Sequence, residues 1–109
     1  ISLKYAVSSS EIKSLMKYNF FDKENIIEMG SIAYKVALVA KGKIDVAISF
    51  TKKNDWDLAA SDLILTEAGG SLKKINGDKI LYNSKQMKID SVLASNNQLT
   101  KNLCDIFNE

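Results

Sequence analysis

The chain has 109 residues, 46% of them hydrophobic, and sets 15 lysines against 13 acidic residues for a formal charge of +2. That length and apolar share suit one domain with a packed core, and the near-neutral balance gives no support to a nucleic-acid polymer as partner. With no histidine, a Ser-His-Asp triad, a histidine zinc site and an imidazole base are excluded within this chain, and the single Cys104 cannot form an internal disulfide, which fits a reducing cytoplasm.

Taken in order, LKYAVS (3–8) reads as a strand, followed by a helix in SSSEIKSLMKY, where Ser8 and Glu11 have capping-box spacing and Ile12, Leu15 and Met16 share a face. NIIEM (25–29) is a second strand leading to Gly30. SIAYKVALVAKG then reads as a helix closed by Gly42, and KIDVAISF as a third strand that alternates Ile44, Val46 and Ile48. A helix over NDWDLAASDLILTEAGG (54–70) follows, then a strand at SLKKI, a turn at NGD, short apolar stretches at KILY and SVLAS, and a terminal helix NQLTKNLCDIF that carries Cys104 as small apolar filler. Strands alternating with helices of about ten residues predict an α/β fold, a mostly parallel sheet with helices on both faces, in a single domain over 1–109. The apolar run VALVA (36–40) is too short to cross a bilayer core of about 30 Å, so no membrane partner is expected. The opening ISLKYAV lacks Met and runs straight into strand-like residues, as a segment of a longer protein would.

In such sheets ligands gather where strands end and helices begin. The junctions at Ser8 to Ser10, Gly30 to Ser31 and Asn54 to Asp57 are therefore expected on one shared edge. Trp56, Ala59, Ala60, Leu63 and Ile64 recur at three- and four-residue spacing and predict the buried face of the third helix, with Gly69 as its terminating residue. Asn54 and Asp57 read structurally as a capping pair whose acidic member sits favourably in the first turn. Functionally, the Asp57 carboxylate is placed to face a hard cation such as Mg²⁺, which takes oxygen ligands from separate segments plus substrate phosphate. No second acidic cluster stands in register, so its partner ligands would lie outside this chain. Gly30 permits close approach, Ser31 opens a helix whose free N–H groups receive an anion or hydroxyl, and Lys35 adds positive charge one turn on; a plain cap at Ser31 is the structural alternative.

WDLAASDLILTEAGG resembles the C-terminal signature of the inositol monophosphatase family of Mg²⁺-dependent, lithium-sensitive phosphatases: Trp56, Asp57, Ala59, Ala60, Glu67, Ala68, Gly69 and Gly70 all match. GSIAYKVALVAKGKID resembles the family's Gly-Ser segment, helix and Gly-x-x-Asp strand, and AVSSSE its Ser-Arg-x-Glu stretch, with Ser9 in place of the arginine. The resemblance implies the C-terminal half of the layered sugar-phosphatase fold. It implies Asp57 as a metal ligand that also touches the leaving hydroxyl, and substrate contacts from Gly30, Ser31 and Lys35. Phe50 stands where inositol-type members often carry Glu, and Lys35 with the TKKND loop looks closer to the branch that acts on 3′(2′),5′-bisphosphate nucleotides. The family's Asp-Pro-x-Asp-Gly-Thr cluster and upstream glutamate have no counterpart in the chain. The resemblance thus implies a fragment, inactive alone, of a Mg²⁺-dependent phosphomonoesterase for inositol monophosphate or a bisphosphate nucleotide, completed by an absent N-terminal half and open to homodimer formation. The contrasting expectation is a non-catalytic binding or dimerisation module that kept the fold.

Overall fold

In the computed structural model the described residues are 3–18, 21–50, 53–80, 82, 88, 89 and 91–108, and of residues 53–57, 88, 89 and 97 the backbone alone is described. Strand β1 (Tyr5–Val7) leads through a 3-10 turn (Ser9–Glu11) into a short helix α1 (Ile12–Met16). Strand β2 (Ile26–Glu28) is followed by α2 (Ile32–Ala40), and strand β3 (Val46–Ser49) by the two-residue β4 (Lys53–Asn54) and α3 (Asp55–Glu67). Then come β5 (Gly70–Lys73), β6 (Lys88–Ile89), β7 (Val92–Asn96) and α4 (Asn97–Phe107).

The five-stranded sheet has the order β2-β1-β3-β7-β5, and β4 pairs separately with β6. β1 runs parallel to both β2 and β3, whereas β7 is antiparallel to both β3 and β5. Four strands therefore point one way and β7 is the reversed one, which makes the sheet mostly parallel in direction but mixed in its pairings. The parallel pairings follow crossover helices; the reversal follows the connection 74–91, in which the short β6 is the only element among the described residues.

Alternation along the strands sends side chains to two cores. Tyr5, Val7, Val46, Ile48 and Leu93 pack with Leu15 of α1 and with Leu103, Cys104 and Phe107 of α4. On the opposite face Ala47, Val92, Ala94 and Leu72 pack with Ile32 and Val36 of α2 and with Leu58 and Leu65 of α3. On the first face Phe107 stacks on Phe21 at 5.5 Å between ring centroids and meets Tyr18 edge-on at 4.8 Å, while Phe21 meets Tyr5 at 4.9 Å. These ring pairs fasten the last helix to the first crossover, each adding about 0.5–1.5 kcal/mol beyond its buried area.

Helix α3 departs from its sequence reading. Its inward residues are Leu58, Ser61 and Leu65, while Leu63 and Ile64 are 62% and 54% exposed and Ala59 and Ala60 are exposed too. The helix carries two apolar diagonals, and the one that includes Leu58 and Leu65 meets α2 and the sheet. The small residues that bring helix and sheet together are therefore not the alanines. Gly70 takes that part: a Cβ there would lie 2.6 Å from Leu65 Cδ1 and 2.9 Å from the Ser95 carbonyl oxygen. Gly69, at φ +89°, ends the helix as expected, since a side chain at that angle would be strained.

Candidate functional site

Because β1, β2 and β3 are parallel, their C-terminal ends, and the junctions that follow, share one edge of the sheet. Val7 is level with Glu28, and the Met29 amide donates to the Val7 carbonyl at 3.1 Å, so the Ser8 and Gly30 junctions leave the sheet side by side. β1 passes to α1 on one face and β2 to α2 on the other, the kind of switch between faces beside which ligands gather in such sheets. β3 ends at the same edge, and five residues that include β4 separate it from the start of α3 at Asp55.

At the second junction Gly30 has no atom within 4 Å of the place a Cβ would take, so space is open beside it. Ser31 caps α2, its Oγ accepting from the Tyr34 amide at 3.3 Å. Its backbone, at φ 42° and ψ 106°, is the one positive-φ non-glycine conformation among the described residues. Such geometry costs about 1–3 kcal/mol and persists where surrounding structure enforces it, often at ligand sites. Lys35, one turn on, is 2% exposed, while Ser31 is exposed. The two residues thus share a helix end but not an exposure. Asp57 is the third residue of α3, in its first turn; its side chain, with those of Asn54 and Trp56, lies outside the described residues.

At the first junction the capping box is replaced by a longer-range arrangement. Ser8 makes no side-chain cap; its Oγ donates to Glu11 Oε1 at 2.5 Å. Glu11 is 4% exposed, and its carboxylate also accepts from Ser49 Oγ and the Phe50 amide at the end of β3. Local spacing suggested a cap at Glu11, but the buried carboxylate finds donors across the sheet. A serine closing the otherwise apolar strand VAIS was the available signal, and it pointed to no partner.

Among the described residues no group of three or more Asp, Glu, Cys or His side chains stands together to hold a metal ion. Two clefts, of about 360 and 350 Å³, lie beside β5 and α4 and, among the described residues, include none of Gly30, Ser31 or Lys35. No helix among the described residues is long and apolar enough to cross a membrane.

Comparison with known proteins bears on this arrangement. Inositol monophosphatase 3 of Xenopus tropicalis is 30% identical over 93 residues, which cover 80% of this chain and 26% of that protein. The 3′(2′),5′-bisphosphate nucleotidase CysQ of Aggregatibacter actinomycetemcomitans is 30% identical over 86 residues, covering 79% of this chain and 31% of the relative. Inositol monophosphatase-II from Staphylococcus aureus shares the fold at a TM-score of 0.77 with 18% identity, covering 95% of this chain and 40% of that one. SaIMPase-II is matched with inositol monophosphate bound and with 2′AMP bound, at TM-scores of 0.77 and 0.75. The chain thus spans less than half the length of each of these proteins. The family model for the inositol monophosphatase family matches residues 3–109, and the chain belongs to that family.

Proposed function

We propose that this chain is the C-terminal α/β unit of a Mg²⁺-dependent phosphomonoesterase acting on a small phosphorylated substrate, either inositol monophosphate or a 3′(2′),5′-bisphosphate nucleotide. The carrying observation is the common edge on which the Ser8 and Gly30–Ser31 junctions leave the parallel strands β1 and β2 and at which β3 ends, with five residues between it and Asp55. In this reading the open space at Gly30 and the exposed cap Ser31 receive the alcohol portion of the substrate. Lys35 contributes positive charge from the helix interior. Asp57, fixed in the first turn of α3, offers its carboxylate to the metal and to the leaving hydroxyl.

The described acidic residues do not make a complete Mg²⁺ site. In this reading Asp57 acts as one ligand of a set whose other members come from a preceding half outside this chain. Bound Mg²⁺ would supply Lewis-acid polarisation of the phosphate and a water of lowered pKa. The outward apolar diagonal of α3, with Leu63 and Ile64 exposed, supports a further layer of the same polypeptide over that helix. This chain alone is then expected to be inactive.

The test is Asp57→Asn in the complete protein. Turnover of a phosphomonoester should fall by about two orders of magnitude or more while the far-UV circular dichroism is retained, because one ligand charge at the reacting phosphate is removed. Unchanged turnover at saturating Mg²⁺ would sink the assignment. In the contrasting reading, a non-catalytic module, the wild-type protein hydrolyses neither substrate and its melting temperature does not respond to Mg²⁺ with phosphate ester.

A further inference from the structure

Glu11 occupies a position that charged side chains take only when fully hydrogen-bonded. It ends the 3-10 turn after β1, and the residue is 4% exposed. Ser8 Oγ, from the same turn, donates to Oε1 at 2.5 Å. Ser49 Oγ, 38 residues away, lies 3.4 Å from Oε1 and 3.3 Å from Oε2. The Phe50 amide, 39 residues away, donates to Oε2.

We infer that Glu11 is a positioning residue whose carboxylate clamps the exit of β3 to the turn after β1 and thereby fixes where the chain enters α3. The last β3 residue in register with β7 is Ser49, opposite Val92, so the sheet ladder stops one residue short of Phe50. The Phe50 N–H needs another acceptor, and Glu11 supplies it. Residues 50–54 alone separate that amide from Asp55, the first residue of α3. A connection of five residues reaches at most about 17–18 Å, so moving its first residue moves the helix start. Hydrogen bonds to an ionised acceptor are roughly twice as strong as neutral ones, which suits a clamp made at the last residue of β3 and the one after it. Glutamine cannot substitute: its amide brings one acceptor oxygen and two donor hydrogens to a place where, among the described residues, Ser8, Ser49 and Phe50 all bring donors.

The functional consequence rests on the proposed phosphatase reading, since α3 is the helix that carries Asp57. Two variants of the complete protein test it, Glu11→Gln and the milder Ser8→Ala, assayed well below their melting temperatures with inositol monophosphate and a 3′(2′),5′-bisphosphate nucleotide. For Glu11→Gln, kcat should fall by about tenfold or more and half-saturation by Mg²⁺ should shift upward, with KM changed less, because a ligand displaced by about 1 Å is costly to the chemical step. Ser8→Ala should shift both in the same direction by less. A lowered melting temperature with kcat and Mg²⁺ dependence unchanged overturns the proposal, leaving Glu11 as a fold residue only.

Amide hydrogen exchange on the same Glu11→Gln protein reads the clamp without activity. Faster exchange at Phe50 that spreads into residues 55–58, with α4 unchanged, supports it; faster exchange confined to Phe50 overturns it. If the wild-type protein hydrolyses neither substrate, the reading of function fails while the exchange result still decides the clamp.

Discussion

Replacing Gly70 by alanine should destabilise the protein through two contacts that can be read directly. The new Cβ would stand 2.6 Å from Leu65 Cδ1, 3.0 Å from Leu65 Cγ and 2.9 Å from the Ser95 carbonyl oxygen. Carbon atoms in good contact lie about 3.5–4.0 Å apart, so Leu65 must retreat by about 1 Å. It is 1% exposed and has little room. The carbonyl is harder to move, because Ser95 is paired with Ser71 in the β5–β7 ladder. Overpacking of this kind costs about 1–3 kcal/mol. Against it stands a gain of about 0.4–1 kcal/mol from the stiffer unfolded chain, available because Gly70 is not at positive φ. The net expectation is a loss of roughly 1–2 kcal/mol, or about 5–10 °C in Tm for a domain of this size. Urea unfolding followed by far-UV circular dichroism measures it, with Gly30→Ala as the control, since nothing lies within 4 Å of a Cβ there. The double variant Leu65→Ala/Gly70→Ala should lose less than the sum of the two single variants, the remainder belonging to the Ser95 carbonyl. A Gly70→Ala protein within about 0.5 kcal/mol of wild type would refute the close-approach argument.

Two further outcomes follow from burial. Leu65→Ala, at 1% exposure, should cost about 2–5 kcal/mol, whereas Leu63→Ala, at 62%, should stay within about 0.5 kcal/mol in this chain; equal losses in urea titrations would mean that the wrong diagonal of α3 has been placed inward. Burial pushes the Cys104 thiol above its ordinary value of 9.0; Asp105 adds to the rise and Lys73 opposes it. The folded state then holds a proton that the unfolded state releases above about pH 9, so the thiol's contribution is complete below that pH and is lost as pH rises through the folded value, with a slope of at most about 1.4 kcal/mol per pH unit. Tyr5, raised above 10.0 by burial and by Asp45, titrates in the same direction, so the comparison of wild type with Cys104→Ala between pH 8 and 10.5 isolates the thiol. Identical pH slopes for the two proteins would contradict it.

Much of this fold could be read from local chemistry. The bounds of α4, Asn97–Phe107, coincide with the predicted helix, because Asn96 caps it by accepting from the Leu99 amide at 2.8 Å and the apolar period continues to Phe107. Ser31 and Gly42 bracket α2 in the same way. The direction of β7 was not legible: alternation of inward and outward residues is the same for a strand run either way, and what reverses it is a connection without a crossover helix among the described residues. The α3 error has a related cause. Helical periodicity identifies diagonals but does not rank two apolar ones, and the diagonal that won includes Ser61 while the exposed one includes Leu63 and Ile64. At the candidate site the junctions were legible because each strand-to-helix switch is a local event. The linkage of Glu11 to Ser49 and Phe50 was not, since its partners are 38 and 39 residues away. The burial of Lys35 likewise depends on tertiary packing that the local sequence does not carry.

The reversed strand also sets an order in time. β7 lies between β3 and β5 in the sheet but follows both in the chain. A polypeptide still emerging from the ribosome through residue 90 holds β1, β2 and β3 ready to pair, while β5 has no neighbour and β3 presents an open edge toward it. The aromatic cluster also lacks Phe107 until the end of α4 has been made. Synthesis halted in that interval leaves two unsatisfied edges side by side, with apolar residues such as Ile48 and Leu72 uncovered, the kind of surface that recruits other chains. Residues 92–107 therefore close the domain, and chaperone demand during translation should peak just before they appear.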